Sequence, residues 1–450
     1  MSAKYFTRKI YGELLDWKKN WAGEYALLIE GARRVGKSTV VKEFAGNEYE
    51  SCLFIDFGNP RPNTLDYFRK YSSDLDSLFG LLQMEYGVTL RKGKSLVVFD
   101  EIQEYPEARQ LIKYLVADGR YDYIETGSLI SIKKNVEHIQ IPSEEMHIDM
   151  HPMDFEEFCL ACGDSVTADT IRRHYSEMTP LGQDLHAAIA EKFRTYMMVG
   201  GMPQAVKEYV RSKDMKRVET VKKNIIQLYR GDMGRIPVGN GTKARAVFDR
   251  IPALLSAHRK VFRPGAVKKG SRSSDYYDSV KWLEEARICN TCYNVRDPNV
   301  ALNLDSDADS FKCYLLDTGL LVSLAFDMDS VTDGELLSAF LHGRLSVNKG
   351  MFFENSVAQQ LRSAGHGLHF HEFCRKEDPK HAYETDFLLT SGKYIRPIEV
   401  KSSISNRHVS LDFFCEKYRG RVAVPTVIHP KDLRVDGDTV YLPIYMAWLL

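Results

Sequence analysis

The sequence predicts an α/β protein whose amino-terminal part is a parallel sheet carrying a phosphate-binding loop. Three observations predict it. Residues 31–38 read Gly31-Ala32-Arg33-Arg34-Val35-Gly36-Lys37-Ser38, a complete GxxxxGK[ST] loop. The apolar run Tyr25-Ala26-Leu27-Leu28-Ile29 leads in and Thr39-Val40-Val41-Lys42-Glu43-Phe44 leads out, the pattern of a buried strand followed by a helix. A second apolar run, Ser95-Leu96-Val97-Val98-Phe99, ends in Asp100-Glu101, at the carboxyl end of a central strand, where ligands of open α/β sheets collect.

Each part of this region has a chemical task. Gly31 and Gly36 allow the backbone to turn tightly and approach a phosphate. Loop N–H groups and the helix amino end point at that phosphate, and Arg33 and Thr39 fall within the same set of nucleotide contacts. Lys37 is placed to reach the β and γ oxygens of ATP, and the Ser38 hydroxyl to hold Mg²⁺. Asp100 completes the Mg²⁺ shell, and Glu101 orients and polarises the attacking water; binding alone does not need the second carboxylate. Downstream, Tyr121-Asp122-Tyr123-Ile124-Glu125 reads as another strand and opens into Thr126-Gly127-Ser128. The hydroxyl of Thr126 or Ser128 suits a γ-phosphate contact, and it equally suits a helix cap.

The chain of 450 residues predicts about three domains. Its 44% hydrophobic and 27% charged content is ordinary for a globular protein. Net charge is zero, so any nucleic-acid contact must come from a local patch. The segment Met1–Ile10 lacks the apolar core of a signal peptide, and no stretch approaches a membrane span, which predicts a cytoplasmic protein with no membrane partner. Eight cysteines fit a reducing compartment. Two pairs have CxxC spacing, Cys159 with Cys162 and Cys289 with Cys292. They lie far apart and lack turn glycines between the thiols, which favours buried free thiols over a zinc site.

After a core over residues 1–150, a helix-rich section spans 151–240. Its segment Ile189–Val199 stops at Gly200-Gly201-Met202-Pro203. A helix ending at glycine with proline beyond is ordinary punctuation; the functional reading is a lid turn packed over the adenine. Over 241–328 two amphipathic helices precede two short strands, Ile288–Arg296 and Phe311–Leu316, the order of a winged helix-turn-helix. Between the helices, Arg259, Lys260, Arg263, Lys268, Lys269 and Arg272 occur without an acidic residue, which suits a DNA backbone. Winged helices also serve as protein contacts, so a protein partner is the second reading.

Residues 329–450 carry a second candidate site. Glu384-Thr385-Asp386-Phe387-Leu388-Leu389 and Ile395-Arg396-Pro397-Ile398-Glu399-Val400-Lys401 predict a hairpin. Glu399 and Lys401 are two apart and share a face. A loop of two or four residues puts Asp386 on that face too, and a three-residue loop does not. Two carboxylates holding Mg²⁺ and a lysine stabilising charge are what phosphodiester cleavage requires. Glu354 shares a helical stripe with Val357, Ala358 and Leu361, so its carboxylate points coreward and needs a partner. A metal is one such partner; a structural ion pair with Lys401 is the other.

Taken together, these marks resemble the archaeal and bacterial AAA-like, STAND-related P-loop ATPases with a carboxyl-terminal PD-(D/E)XK restriction-endonuclease-like domain. The resemblance spans nearly the whole chain and rests on the phosphate loop, Phe99-Asp100-Glu101-Ile102-Gln103, Thr126-Gly127-Ser128, Gly200-Gly201-Met202-Pro203, Tyr229-Arg230-Gly231-Asp232, Tyr314-Leu315-Leu316-Asp317-Thr318-Gly319-Leu320, Phe353-Glu354-Asn355, and Asp386 with Glu399-Val400-Lys401. It implies an ATPase core, a helical lid, a winged helix and a nuclease fold. Lys37, Ser38, Asp100 and Glu101 are then expected to handle Mg-ATP, and Glu354, Asp386, Glu399 and Lys401 to match the nuclease signature. Gly201 and Pro203 match the STAND lid motif. Arg230 and Arg235 are the arginine-finger candidates, and assembly into an oligomer stays open.

Overall fold

The computed structural model describes residues 6–128, 140–234, 240–326, 349–375, 381–403 and 407–450, apart from Lys269, Ser271, Ser273 and Ser274. Of the expectations above, those on Arg235 and Lys269 and both boundaries, at 240 and 328, fall on or beside residues outside this set. The chain divides into two compact units, Met1–His151 with Glu285–Arg287, and Pro152–Glu284 with Ile288–Leu450.

In the first unit, β1 (Ala26–Glu30), β2 (Ser51–Asp56), β3 (Ser95–Asp100), β4 (Asp122–Gly127) and β5 (Glu145–Asp149) form a parallel sheet in the order β2-β3-β4-β1-β5. Every residue of β3 is buried, as its unbroken apolar run requires. One face of the sheet packs Leu53, Val97 and Phe99 against Leu78, Phe79 and Leu82 of the helix Leu75–Tyr86. That helix starts at Asp74, which caps the Ser77 N–H, and stops at Gly87 in the left-handed region at φ 63°. Because β4 lies between β3 and β1, the ends of all three strands converge on the loop that follows β1.

The second unit opens with the helices Phe155–Ala161, Val166–Glu177, Gln183–Val199, Pro203–Ser212 and Met215–Met233, and continues with Asn240–Ser256. Its first sheet contains β6 (Cys289–Val295), β7 (Ser306–Leu315), β8 (His369–Cys374) and β9 (Ala382–Thr385) in the order β7-β6-β8-β9. Its second contains β10 (Phe387–Ser391), β11 (Tyr394–Val400), β12 (Thr426–His429), β13 (Arg434–Asp436) and β14 (Thr439–Pro443) in the order β10-β11-β12-β14-β13. The expected two-stranded wing is thus not a free ribbon. β6 is antiparallel to β7 on one side and parallel to β8 on the other, through Tyr293↔His369 and Asn294↔Phe370. Its alternate residues Cys289, Thr291 and Val295 are buried, and a strand buried in this way completes its hydrogen bonding on both edges.

Asp386 is the single residue between β9 and β10, where the chain passes from one sheet to the other. β10 and β11 pair from Ser391↔Tyr394 to Phe387↔Ile398, which leaves Gly392 and Lys393 as a two-residue loop. Gly392 takes φ 58° there, a conformation that glycine adopts without strain.

Candidate functional site

The phosphate loop runs from the end of β1 into the helix Lys37–Glu48. Gly31 passes so close to β5 that a β-carbon would collide with the Met150 carbonyl oxygen. Gly36 turns at φ 106° and hands over to a helix whose amino end carries no side-chain cap. The Lys37 ammonium is buried and donates to the loop's own carbonyls, Gly31 O at 2.8 Å and Ala32 O at 3.1 Å. Burial lowers its pKa to about 8, against the opposing pull of Glu101 and Asp100. Arg33 is half-buried in the loop and Thr39 is exposed in the first helical turn.

Asp100, at the end of β3, gathers the polar side chains of the site. Its Oδ1 accepts from the Ser38 hydroxyl at 2.7 Å and from the Thr126 hydroxyl on β4. Burial pushes its carboxyl pKa up, and these two hydroxyls oppose the rise. Glu101 follows at φ 54°, a left-handed conformation that costs a non-glycine residue about 1–2 kcal/mol. Its Oε2 accepts from Gln103 and, at 3.4 Å, from Ser128. Strain of this kind persists where surrounding structure enforces it, and it commonly marks active sites. The structure therefore brings Lys37, Ser38, Asp100, Glu101, Thr126 and Ser128 together at the carboxyl ends of the three inner strands.

Beside the loop lies a charged network that the sequence did not reveal. Arg109 is buried and pairs through two nitrogens with Glu145 on β5, at 3.0 and 2.7 Å. Burial and the Glu145 carboxylate push Glu125 well above the usual carboxylate range. His147 lies 3.5 Å from Glu145 and 3.6 Å from Glu30, the last residue of β1, and these carboxylates raise it to about 9. Arg287 reaches Asp149 at 2.8 Å and Glu30 at 3.6 Å. Little in the sequence signals it, since Arg109 lies in Pro106–Gln110 and Glu145 opens Glu145–Asp149, both of them polar segments.

In the second unit, three of the motifs that carried the resemblance form one buried polar network. Asp317 accepts from Gly201 N–H at 2.6 Å and Leu320 N–H at 2.9 Å. Gly201 O accepts from Met153 N–H at 2.7 Å. Gln359 donates to Asp317 at 3.3 Å and to Tyr196 Oη at 2.9 Å, while its own oxygen accepts from Thr318 N–H at 2.8 Å. Asn355 pairs with the backbone of Leu315, accepting at 2.8 Å and donating at 3.2 Å. A β-carbon on Gly319 would stand 2.6 Å from the Gly200 backbone. The glycines of Gly200-Gly201-Met202-Pro203 thus have a packing task within this unit, and Pro203 occupies the first turn of the following helix, where its missing N–H costs nothing.

The carboxyl-terminal cluster is assembled as the two-residue loop requires. Register brings Asp386 level with Glu399, and Asp386 Oδ2 accepts from Val400 N–H at 2.7 Å. Lys401 pairs with Glu399 at 2.6 Å. Glu354, Glu384 and Asp386 present carboxylate oxygens that all lie within 4.8 Å of one another. Two lysines from outside the D…ExK pattern complete the group. Lys312 of β7, with a fully buried side chain, lies 2.7 Å from Glu384, 3.3 Å from Glu354 and 4.0 Å from Asp386. Lys260 pairs with the other Glu354 oxygen, and the Tyr314 hydroxyl donates to Glu354 as well. Burial alone would raise Glu354, but Lys312 and Lys260 hold it down to about 2. Asp386 goes the other way, well above its ordinary value, through burial and the charges of Glu354 and Glu399.

Lys260 and Arg259 are therefore corrected from the expected basic patch. Lys260 is turned inward to Glu354, and Arg259 is paired with Glu372. Arg263, Lys268 and Arg272 remain exposed. Of the arginine-finger candidates, Arg230 is bound to Asp249 at 2.7 Å. The described cysteines are free, and Cys289 and Cys292, three apart on β6, face opposite sides of the strand.

A family model described as an AAA domain matches residues 23–159. With the strand order and the loop geometry, it defines that region as an AAA-type P-loop ATPase domain. Residues 190–330 and 349–447 match models described only as domains of unknown function, DUF8612 and DUF4143. Comparison with curated proteins gives no match. Among solved structures the chain is similar to a Walker-type ATPase of Pyrococcus abyssi, at 16% identity and a TM-score of 0.43, over 72% of this chain and 96% of that one. It is also similar to a signal transduction ATPase with numerous domains, carrying a tetratricopeptide repeat sensor, from Pyrococcus horikoshii. That likeness has 11% identity and a TM-score of 0.29, over 79% of this chain and 48% of that one. A third is a Drosophila ORC structure bound to DNA, at 11% identity and a TM-score of 0.28, over 73% of this chain and 94% of that one. Among the described residues, no helix is long and apolar enough to cross a membrane.

Proposed function

We propose that the first unit binds and hydrolyses ATP with Mg²⁺, and that this cycle controls the second unit, whose carboxyl-terminal part is a restriction-endonuclease-like domain directed at DNA. The observation that carries the ATPase reading is the Ser38–Asp100–Thr126 array beside Glu101. A serine hydroxyl and a buried carboxylate are hard oxygen ligands that suit Mg²⁺, and Ser38 and Asp100 are the residues that would hold it. When bound there, the ion neutralises charge developing on the transferring phosphate. Lys37 exchanges its loop carbonyls for phosphate oxygens. Thr126 fixes the Asp100 carboxylate. Glu101, steadied by Gln103 and Ser128, orients the attacking water and takes its proton.

Lys37→Ala is expected to abolish ATP binding or turnover. Glu101→Gln is expected to keep binding and lose about 10²-fold or more in hydrolysis, the usual share of a general base. Normal turnover by Glu101→Gln would remove Glu101 from its assigned role.

Two readings of the second unit part at the carboxylate cluster. The active-nuclease reading is supported by Asp386, Glu399 and Lys401 sharing one face, and by Glu399 Oε2, buried with no hydrogen-bond donor among the described residues. The silent reading, in which the domain engages its partner without cutting, is favoured by the Lys312 ammonium lying among the carboxylates. Plasmid and linear DNA incubated with Mg²⁺ or Mn²⁺, with and without ATP, separates them. Metal-dependent cutting that Lys401→Ala abolishes supports the nuclease, and intact DNA under every condition supports the silent domain.

A further inference from the structure

We propose that Lys312 is the resident cation of the Glu354–Glu384–Asp386 cluster, its ammonium taking the place a divalent ion would take and closing the site to metal. The inference deepens the silent reading of the second unit and is independent of the ATPase reading.

Most carboxylate oxygens of this cluster already face protein donors, Glu399 Oε2 being one that has none among the described residues. Lys312 Nζ sits 2.7 Å from Glu384 Oε1 and 3.3 Å from Glu354 Oε1, with Asp386 Oδ1 at 4.0 Å. The remaining Glu354 oxygen is held by Lys260, and Oε1 also accepts from Tyr314. Asp386 Oδ2 is taken by the Val400 N–H at 2.7 Å, and Glu399 Oε1 by Lys401 at 2.6 Å. A metal ion would have to displace Lys312 from these oxygens.

That displacement has nowhere favourable to lead. The Lys312 side chain is fully buried, with its ammonium 4.7 Å from the centre of the Phe370 ring. An ammonium expelled from three carboxylates would stay in a dry interior without its counter-charges, which is strongly unfavourable. Charge counting agrees. Glu354, Glu384, Asp386 and Glu399 supply four negative charges at most, and Lys260, Lys312 and Lys401 supply three positive ones. A divalent ion added to the intact cluster would bring five positive charges against four. Lys312 also comes from β7, far in sequence from Asp386 and Glu399, so the site adds ionic bonds, rather than a metal, to the sheet pairing that joins β7 to β8 and β9.

The test is Mn²⁺ binding to the 450-residue chain, read by electron paramagnetic resonance, with nucleotide absent and Asp100→Asn as the background so that the carboxylate beside the phosphate loop does not contribute. The otherwise native cluster is expected to take up no Mn²⁺ at submillimolar concentration. Lys312→Met, which keeps the side-chain bulk and removes the charge, is expected to gain one saturable Mn²⁺ site, tighter by about 100-fold or more, and to lose it again with Asp386→Asn. Lys260→Met, at a partly exposed position, is the second variant. It leaves Lys312 in place and is expected to stay metal-free, and it carries the test if Lys312→Met does not fold. A Mn²⁺ site in the native cluster that Asp386→Asn removes would overturn the proposal, as would Mn²⁺ uptake by Lys260→Met. A folded Lys312→Met that gains no metal would also overturn it, while leaving the silent reading intact; DNA cutting would overturn that reading itself.

Discussion

Asp317→Ala tests whether the buried network of the second unit is held by one carboxylate. Asp317 is fully buried and begins the helix Thr318–Ala325 as its amino-terminal cap. Its two oxygens satisfy Gly201 N–H at 2.6 Å, Leu320 N–H at 2.9 Å and the Gln359 amide at 3.3 Å. Alanine leaves all three donors in a dry interior, and each stranded donor costs about 1–3 kcal/mol. The loss is partly offset because burial disfavours the ionised aspartate and pushes its pKa up. The net expectation is about 3–5 kcal/mol. Urea unfolding followed by tryptophan fluorescence measures the total, and hydrogen exchange by mass spectrometry measures it locally, at peptides covering 196–206 and 314–323. At about 1.4 kcal/mol per factor of ten, exchange there should accelerate on the order of 10²-fold or more in the native-state regime. A loss below about 1 kcal/mol with unchanged exchange would show that these donors find other partners and that Asp317 does not hold the network.

Two further outcomes concern the first unit. Arg109→Ala removes the buried partner of Glu145 and leaves the half-exposed His147 as its neighbouring cation, so unfolding stability should fall by up to about 3–5 kcal/mol; a change below about 1 kcal/mol in urea titration would show that the pair is replaceable. His147 is raised to about 9 by Glu145 and Glu30, so its stabilisation is complete below its ordinary value of 6.5 and is lost as pH rises through 9. Because its side chain is half-exposed, screening reduces the effect to about 1 kcal/mol. Thermal melts between pH 6 and 10 should show this decline, and His147→Gln should flatten it; an unaltered pH profile in the variant would assign the decline to another group.

How much was legible depended on sequence distance. The phosphate loop was readable because its eight residues are contiguous and strand and helix flank them directly, so local chemistry fixes position. Asp100-Glu101 was readable because two adjacent carboxylates at the end of an apolar strand, downstream of a phosphate loop, have a defined chemical task in holding a metal and a water. The hairpin was readable only conditionally, since the face of Asp386 depended on a loop length that Gly392-Lys393 settled. Lys312 was missed although it left a trace: one lysine within Phe311-Lys312-Cys313-Tyr314-Leu315 is a charge inside a buried strand, and such a charge must have a counter-ion. Its partners Glu354 and Glu384 lie 42 and 72 residues away, beyond any local pattern. Lys260 misled for the opposite reason, because a run of basic residues looks the same whether it faces solvent or a distant carboxylate.

Whether donors and charges are already matched separates a ligand site from a structural network when both are rich in polar residues. In the Asp317 network the donors Gly201 N–H, Leu320 N–H and the Gln359 amide meet acceptors within the unit, so nothing external is needed to complete it. At the phosphate loop the balance is different. A buried lysine rests on the carbonyls of its own loop, its charge disfavoured by burial, beside a helix end without a side-chain cap and a glutamate held at positive φ. An anion would satisfy the lysine and the helix end together. The carboxylate cluster around Lys312 stands nearer the first kind on this criterion, because three lysines already balance most of its charge, although Glu399 Oε2 has no donor among the described residues. Resemblance in the residues of a motif therefore does not carry the chemistry with it unless the charge beside them is left for a ligand to balance.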